Sequence, residues 1–200
     1  MYDDELNGID EDQEEESISP PEVPPDPEAM LSLLTSPETP QRMLGARAFC
    51  EIKESRAIPH LVRLLGDICP LVRVSAAYAL GRNPSYQAVD PLIGLLQRDW
   101  NGYVRKGVVW ALGNCGDRRA LNPLIHAIRS DISAVRLWSS SSLAQVAKLE
   151  YADVIIAIPP LIAGLRRDPV AAVRSNCAWS IGQLSKELPS NVVYATAIDA

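Results

Sequence analysis

An all-α solenoid of paired helices is the architecture this sequence predicts, and three observations predict it. The frame Asp…Val-Arg…Ala-Leu-Gly stands at Asp67…Val72-Arg73…Ala79-Leu80-Gly81 and again at Asp99…Val104-Arg105…Ala111-Leu112-Gly113. It returns with an altered last part at Asp131…Val135-Arg136…Leu143-Ala144 and Asp168…Val173-Arg174…Ile181-Gly182. Arg42, Arg73, Arg105, Arg136 and Arg174 form one column at spacings of 31, 32, 31 and 38, and Ala57, Ala88, Ala120, Ala157 and Ala197 form a second. Finally, 47% of the chain is hydrophobic but only 6% aromatic, as small-residue contacts between closely stacked helices require. A period of this length, in which no unit can bury its apolar face alone, marks a repeat array.

The elements follow in order. Residues 1–28 hold twelve acidic residues and no Lys or Arg, so the net charge of −6 conceals an acidic tail on a body with 13 acidic and 19 basic residues. Residues 1–27, closed by Pro20-Pro21 and Pro24-Pro25, cannot bury enough apolar surface to offset chain entropy and are expected to be disordered. The tail either solubilises the chain or lies against the basic body as an intramolecular competitor. Residues 28–200 form the solenoid. Its first part, 28–40, reads as a degenerate N-terminal cap: the short helical run Glu28–Leu34 is ended by Ser36-Pro37 and Pro40. About five units follow, and the last stops incomplete at Ala197-Ile-Asp-Ala200, so the natural protein is expected to continue.

Each unit holds two helices. The first follows the column arginine and is expected to stop at Gly81, Gly113 or Gly182, where glycine can take the left-handed cap conformation. The second follows the alanine column, with apolar residues at +1, +4, +5 and +8 on one helical face. Asp90-Pro91 and Asn122-Pro123 read as an N-cap followed by first-turn proline. The longer connections 145–156 and 183–196 are expected to be loops on one face.

With Asp…Val-Arg…Ala-Leu-Gly and Ala-x-x-Pro-Leu-Ile recurring near a 31-residue spacing, residues 40–200 resemble HEAT-like repeats, and more narrowly the short-repeat phycobilisome-lyase class found in cyanobacteria. The resemblance implies a right-handed α-solenoid. Its class includes bilin lyase and isomerase subunits, phycobilisome-degradation factors and adaptor proteins. It is also similar to cyanobacterial HEAT-repeat proteins that associate with iron–sulfur assembly scaffolds. Fold analogy does not choose between these roles.

The recurring Asp and Arg columns are expected to be architecture, because a catalytic site is local while a ladder serves every unit. Five residues after each ladder arginine stand Tyr78, Trp110 and Trp179, with Arg47 and Ser141 in the same column and Trp138 one turn away. These rings either fill gaps between units or, if exposed, anchor a partner. The second helices carry Arg63, Arg98, Arg129, Arg166 and Arg167. The resemblance places this helix on the concave surface, where such a row would receive an acidic protein segment, a bilin propionate or the chain's own tail.

Other chemistries find little support. A pI near 5.0 and an acidic tail are not the footprint of a nucleic-acid binder. No apolar run reaches 18 residues, since Pro159-Pro160 breaks the best candidate, and the start is too acidic for a signal peptide. The only histidines, His60 and His126, stand in no His-Glu pair, so no metal site and no di-iron hydroxylase is expected. Cys50, Cys69, Cys115 and Cys177 form no Cys-x-x-Cys pair and read as reduced thiols of a cytoplasmic chain, with Cys177 in the core. No cofactor or catalytic residue is assigned. The expectation is a non-catalytic adaptor or assembly factor for a phycobiliprotein, a lyase partner subunit or an iron–sulfur assembly protein, with a bilin lyase or isomerase subunit as the alternative.

Overall fold

The computed structural model describes residues 25–187, and among these every regular element is helical. The helices are α1 (Pro27–Leu33), α2 (Thr39–Ala48), α3 (Ile58–Leu64), α4 (Pro70–Arg82) and α5 (Tyr86–Arg98). They continue with α6 (Gly102–Cys115), α7 (Leu121–Ser130), α8 (Ser133–Ala147), α9 (Tyr151–Arg167) and α10 (Ala171–Leu184). Even-numbered helices are the first helices of the units and odd-numbered ones the second, so the chain stacks in two layers. Leu61, Leu80, Leu92, Leu112, Leu124, Leu143 and Leu161, one or two per unit, are fully buried between the layers. Residues 1–24 of the expected tail and the fragment 197–200 lie outside the described residues, and the expected disorder of 1–27 is corrected at its end, where Asp26 caps α1 and Pro27 opens it.

Three expectations about helix ends are corrected. Gly81, Gly113 and Gly182 do not end their helices but sit inside α4, α6 and α10. The left-handed cap is Gly116 instead, at φ 60° after Cys115. The second helices begin earlier than Asp90-Pro91 and Asn122-Pro123 suggest. Ser85 caps α5 by accepting from the Gln87 amide, and Pro91 lies within that helix. Asp117 accepts from the Arg119 amide and opens a 3-10 turn, Arg118–Ala120, that runs into α7. Asp90, freed from capping, pairs with Arg119 at 2.7 Å. The 145–156 connection is no long loop: α8 ends at Ala147 and α9 starts at Tyr151, so the extra residues lengthen α9 to 17. Most of 183–196 lies outside the described residues.

The ladder joins unit to unit. Arg73 forks onto Asp99, its Nε donating at 2.6 Å and Nη2 at 3.0 Å. The same fork joins Arg42 to Asp67, Arg105 to Asp131 and Arg136 to Asp168, with Nε distances of 2.6, 2.7 and 2.6 Å. Nη1 meanwhile holds the preceding turn, donating from Arg73 to the Asp67 carbonyl and from Arg105 to that of Asp99, each at 2.8 Å. Each aspartate also accepts a backbone amide at the start of the next helix, as Asp99 does from Asn101 at 2.8 Å. Bidentate, charge-assisted bonds of this kind fix geometry as well as supply energy. On Asp168 the Arg136 hydrogen bond outweighs burial and holds the carboxyl below its usual range. On Asp67 burial pushes upward, but the bonds from Arg42 and the Cys69 amide prevail and lower it.

The two layers are spaced differently. First helices approach until a Cβ placed on Gly81 would lie 2.4 Å from the Trp110 ring, and one on Gly113 would lie 2.5 Å from Gln145 Oε1. Second helices stand further apart and leave open grooves between α5 and α7 and between α7 and α9. A two-layer stack bends toward its tighter layer. The first helices therefore form the inner face and the second helices the outer one. This corrects the placement of the arginine row on the concave surface, which fold resemblance suggested.

Candidate functional site

The inner face is built from the side chains of α2, α4, α6, α8 and α10 that point away from the second helices. Small residues at neighbouring positions, such as Ala76, Ala77, Ala79, Val108 and Ala111, are fully buried and pull the helices together. The larger residues beside them are left at the surface or wedged between units. Tyr78 and Trp110 are wedged: their ring centroids are 5.4 Å apart at 55°, and Trp110 lies over Gly81. Only glycine at position 81 leaves room for that indole. Tyr78 also rests near Gly107, and its burial pushes the phenol upward, keeping it neutral.

Cations accompany the rings. The Arg82 guanidinium carbon lies 5.9 Å from the Trp110 centroid, and Lys106 Nζ lies 5.7 Å from that of Trp138. Cation–π contacts at this distance contribute about 0.5–1 kcal/mol at exposed sites. They hold the rings and cations as one surface running from α4 to α8. Trp138 and Trp179 are 36% and 52% exposed, and Arg47 is exposed in the same column. The expected row of aromatics thus has two parts, a packed pair (Tyr78, Trp110) and an exposed pair (Trp138, Trp179).

The arginine row occupies the outer face. Arg63, Arg98, Arg129, Arg166 and Arg167 are all exposed, and none forms an ion pair among the described residues. Arg63 donates to His60 Nδ1 at 2.7 Å, while Arg98 folds back over Gly94. The structure separates the two predicted rows onto opposite faces rather than joining them in one groove.

Burial pushes the thiols of Cys50 and Cys115 up, and that of Cys177 up to about 11, which keeps them protonated and poorly nucleophilic. Cys177 is fully buried, as expected for a residue three after the column arginine, in register with Ala76 and Val108. No group of His, Cys, Asp or Glu among the described residues is arranged to hold a metal ion. Nor is any described helix long and apolar enough to cross a membrane.

Sequence reasoning passed over one exposed set. Ile68 and Trp100, each directly after a ladder aspartate, are 89% and 78% exposed, and Ile132 in the same place is 49% exposed. The recurrence of an apolar residue just after each of those aspartates was the available signal. Being part of the repeat frame disguised it as scaffold.

Known proteins place this geometry. Bilin biosynthesis protein RpcF from Synechococcus sp. (strain WH8020) is 29% identical over 131 residues, covering 65% of this chain. The chain spans 59% of that relative's length. Among solved structures, a designed armadillo repeat protein in complex with peptide (KR)4 superposes with a TM-score of 0.64 at 21% identity, over 78% of this chain and 80% of that one. An engineered protein gives 0.63 at 21% identity, over 80% of each chain. At such identity these two likenesses concern the fold. The family described as HEAT repeats matches residues 27–106 and 89–182. Nearly every described helix falls within those spans, and the chain belongs to the HEAT-repeat family.

Proposed function

We propose that this chain is a non-catalytic protein-binding module of bilin biosynthesis. Its inner face would receive a segment of a phycobiliprotein or of a lyase partner subunit. The observation that carries the reading is the cluster of Tyr78, Trp110, Arg82, Lys106 and Trp138 on the tighter layer. Tryptophan, tyrosine and arginine dominate interface hot spots, because rigid rings bury large area at little entropic cost. The accompanying cations favour an acidic segment. Of the two biosynthetic settings the sequence suggests, bilin and iron–sulfur, the bilin one has the support of a relative named for bilin biosynthesis. Burial of Cys50, Cys115 and Cys177, which pushes their thiols up, supports a binding role for those three positions over a covalent one. A bilin lyase or isomerase subunit is the reading from a different class, and the same relative favours it.

One experiment separates them. The chain is mixed with a bilin and an apo-phycobiliprotein, and covalent attachment is followed by absorbance while binding is followed by pull-down. The adaptor reading expects capture without attachment, weakened about tenfold by Trp138→Ala, the truncation cost of a modest hot spot. Attachment that depends on the chain would replace it with the lyase reading. Absence of both would remove the bilin setting.

A further inference from the structure

The outer face carries two consecutive grooves that no role so far uses. One, of about 660 Å³, lies between α5 and α7, with Leu96, Pro123, Ala127 and Ile132 as its apolar wall and His126 at its edge. The other, of about 400 Å³, lies between α7 and α9, with Pro160, Ala163 and Gly164 as its floor. The ladder pairs at their ends are internally neutralised, so the charges left over are those of Arg129 and Arg167, both exposed and lining the second groove. Arg98 adds a third just outside the first groove, next to Gln97 of its wall. Two apolar slots one unit apart, beside which the unpaired charges among the described residues are cationic, specify a ligand. It is an extended acidic peptide with two apolar side chains about 10 Å apart, the spacing of neighbouring helices. In a polyproline-II conformation, with three residues per turn and a rise of about 3.1 Å, side chains three positions apart share a face at about that separation.

The chain itself contains such a segment. Asp3-Asp-Glu-Leu-Asn-Gly-Ile-Asp-Glu-Asp12 places Leu6 and Ile9 three apart, with three acidic residues on either side. Reach is sufficient. Fourteen residues separate Asp12 from Pro27, where α1 opens the second-helix layer, and they can span about 46 Å. The groove beyond α7 lies some three to four helix spacings away, about 35 Å. The geometry points to residues 3–12 as the occupant of these grooves, with Leu6 and Ile9 seated in consecutive slots and the flanking carboxylates facing Arg98, Arg129 and Arg167. The interaction is electrostatically assisted and intramolecular, so even a weak contact is held by a tethered concentration near 1 mM (about). Occupying the outer face, it is independent of the inner-face partner proposed above.

The test uses the full chain with p-benzoylphenylalanine at position 9. Irradiation is expected to give cross-links within one chain to residues 122–132 or 160–169, mapped by mass spectrometry. Yield is expected to fall about tenfold between low and high salt as the charges are screened, and by a similar factor in Arg129→Glu/Arg167→Glu. Both positions are exposed, so a circular-dichroism melt of that variant should match the parent. Cross-links joining two chains would give the grooves to a second copy's tail and overturn the intramolecular assignment. Cross-links to first-helix peptides, or a yield indifferent to salt and to the two arginines, would overturn the site itself. Failure here leaves the pull-down with Trp138→Ala untouched, so the two proposals fall separately.

Discussion

Two sets of arginines recur once per unit in this chain, and they do opposite work. Arg42, Arg73, Arg105 and Arg136 each fork onto an aspartate of the next unit, with Nε at 2.6–2.7 Å. Arg63, Arg98, Arg129 and Arg167 stand exposed on the outer face with no ion pair among the described residues. Periodicity alone does not tell them apart. What separates them is a carboxylate placed 25 to 32 residues later and the burial that comes with it. In one set the charge is consumed by architecture. In the other it is left available.

The comparison breaks most sharply at Asp99, whose side chain is 2% exposed against 10% for Arg73. Asp99→Ala strands a buried guanidinium and is expected to cost about 3–5 kcal/mol in urea unfolding, whereas Arg129→Ala should stay within about 0.5 kcal/mol. Equal effects would erase the distinction. Next in size is Gly81→Ala, whose new Cβ would meet the Trp110 ring at 2.4 Å. A cost of about 1–3 kcal/mol is expected. The double variant with Trp110→Ala should recover part of it, a coupling measurable by a mutant cycle.

Acid titration sharpens the contrast further. Asp168 and Asp67 have folded-state values held below their unfolded ones. Their contribution is complete above the unfolded value, near pH 4 (about), and is lost as pH falls through the folded value. Stability plotted between pH 2.5 and 6 should therefore fall toward acid, and the fall should be shallower in Asp168→Asn. A curve unchanged by that substitution would remove Asp168 from the acid response. The smallest effect concerns α8. Ser139 Oγ is fully buried with no hydrogen-bond partner, so Ser139→Ala should raise the melting free energy by up to about 1 kcal/mol.

Much of the fold was legible because the Val-Arg and Ala-Leu positions serve burial and the ladder together, and both demands repeat with the unit. Helix starts were less legible. The true caps, Ser85 and Asp117, lie several residues before the prolines that drew attention, and a proline inside a helix looks the same in sequence as one at its first turn. The inner face was harder still. Which layer is concave depends on helix spacing, which is set by where Gly81 and Gly113 admit a neighbouring unit's side chain. Read alone, those glycines resembled helix ends. The rings of the candidate site were all named in advance. Their division into wedged and exposed members was not, because Tyr78 and Trp110 meet only through tertiary contact.

The ladder also bears on how the chain folds. Its longest-range ion pairs join residues 25 to 32 positions apart, and the layers bring together only neighbouring units. Contact order measured in residues therefore does not grow with the number of units, so lengthening such an array adds stability without adding a slower search. Folding can therefore nucleate at any pair of adjacent units and spread from there to its neighbours.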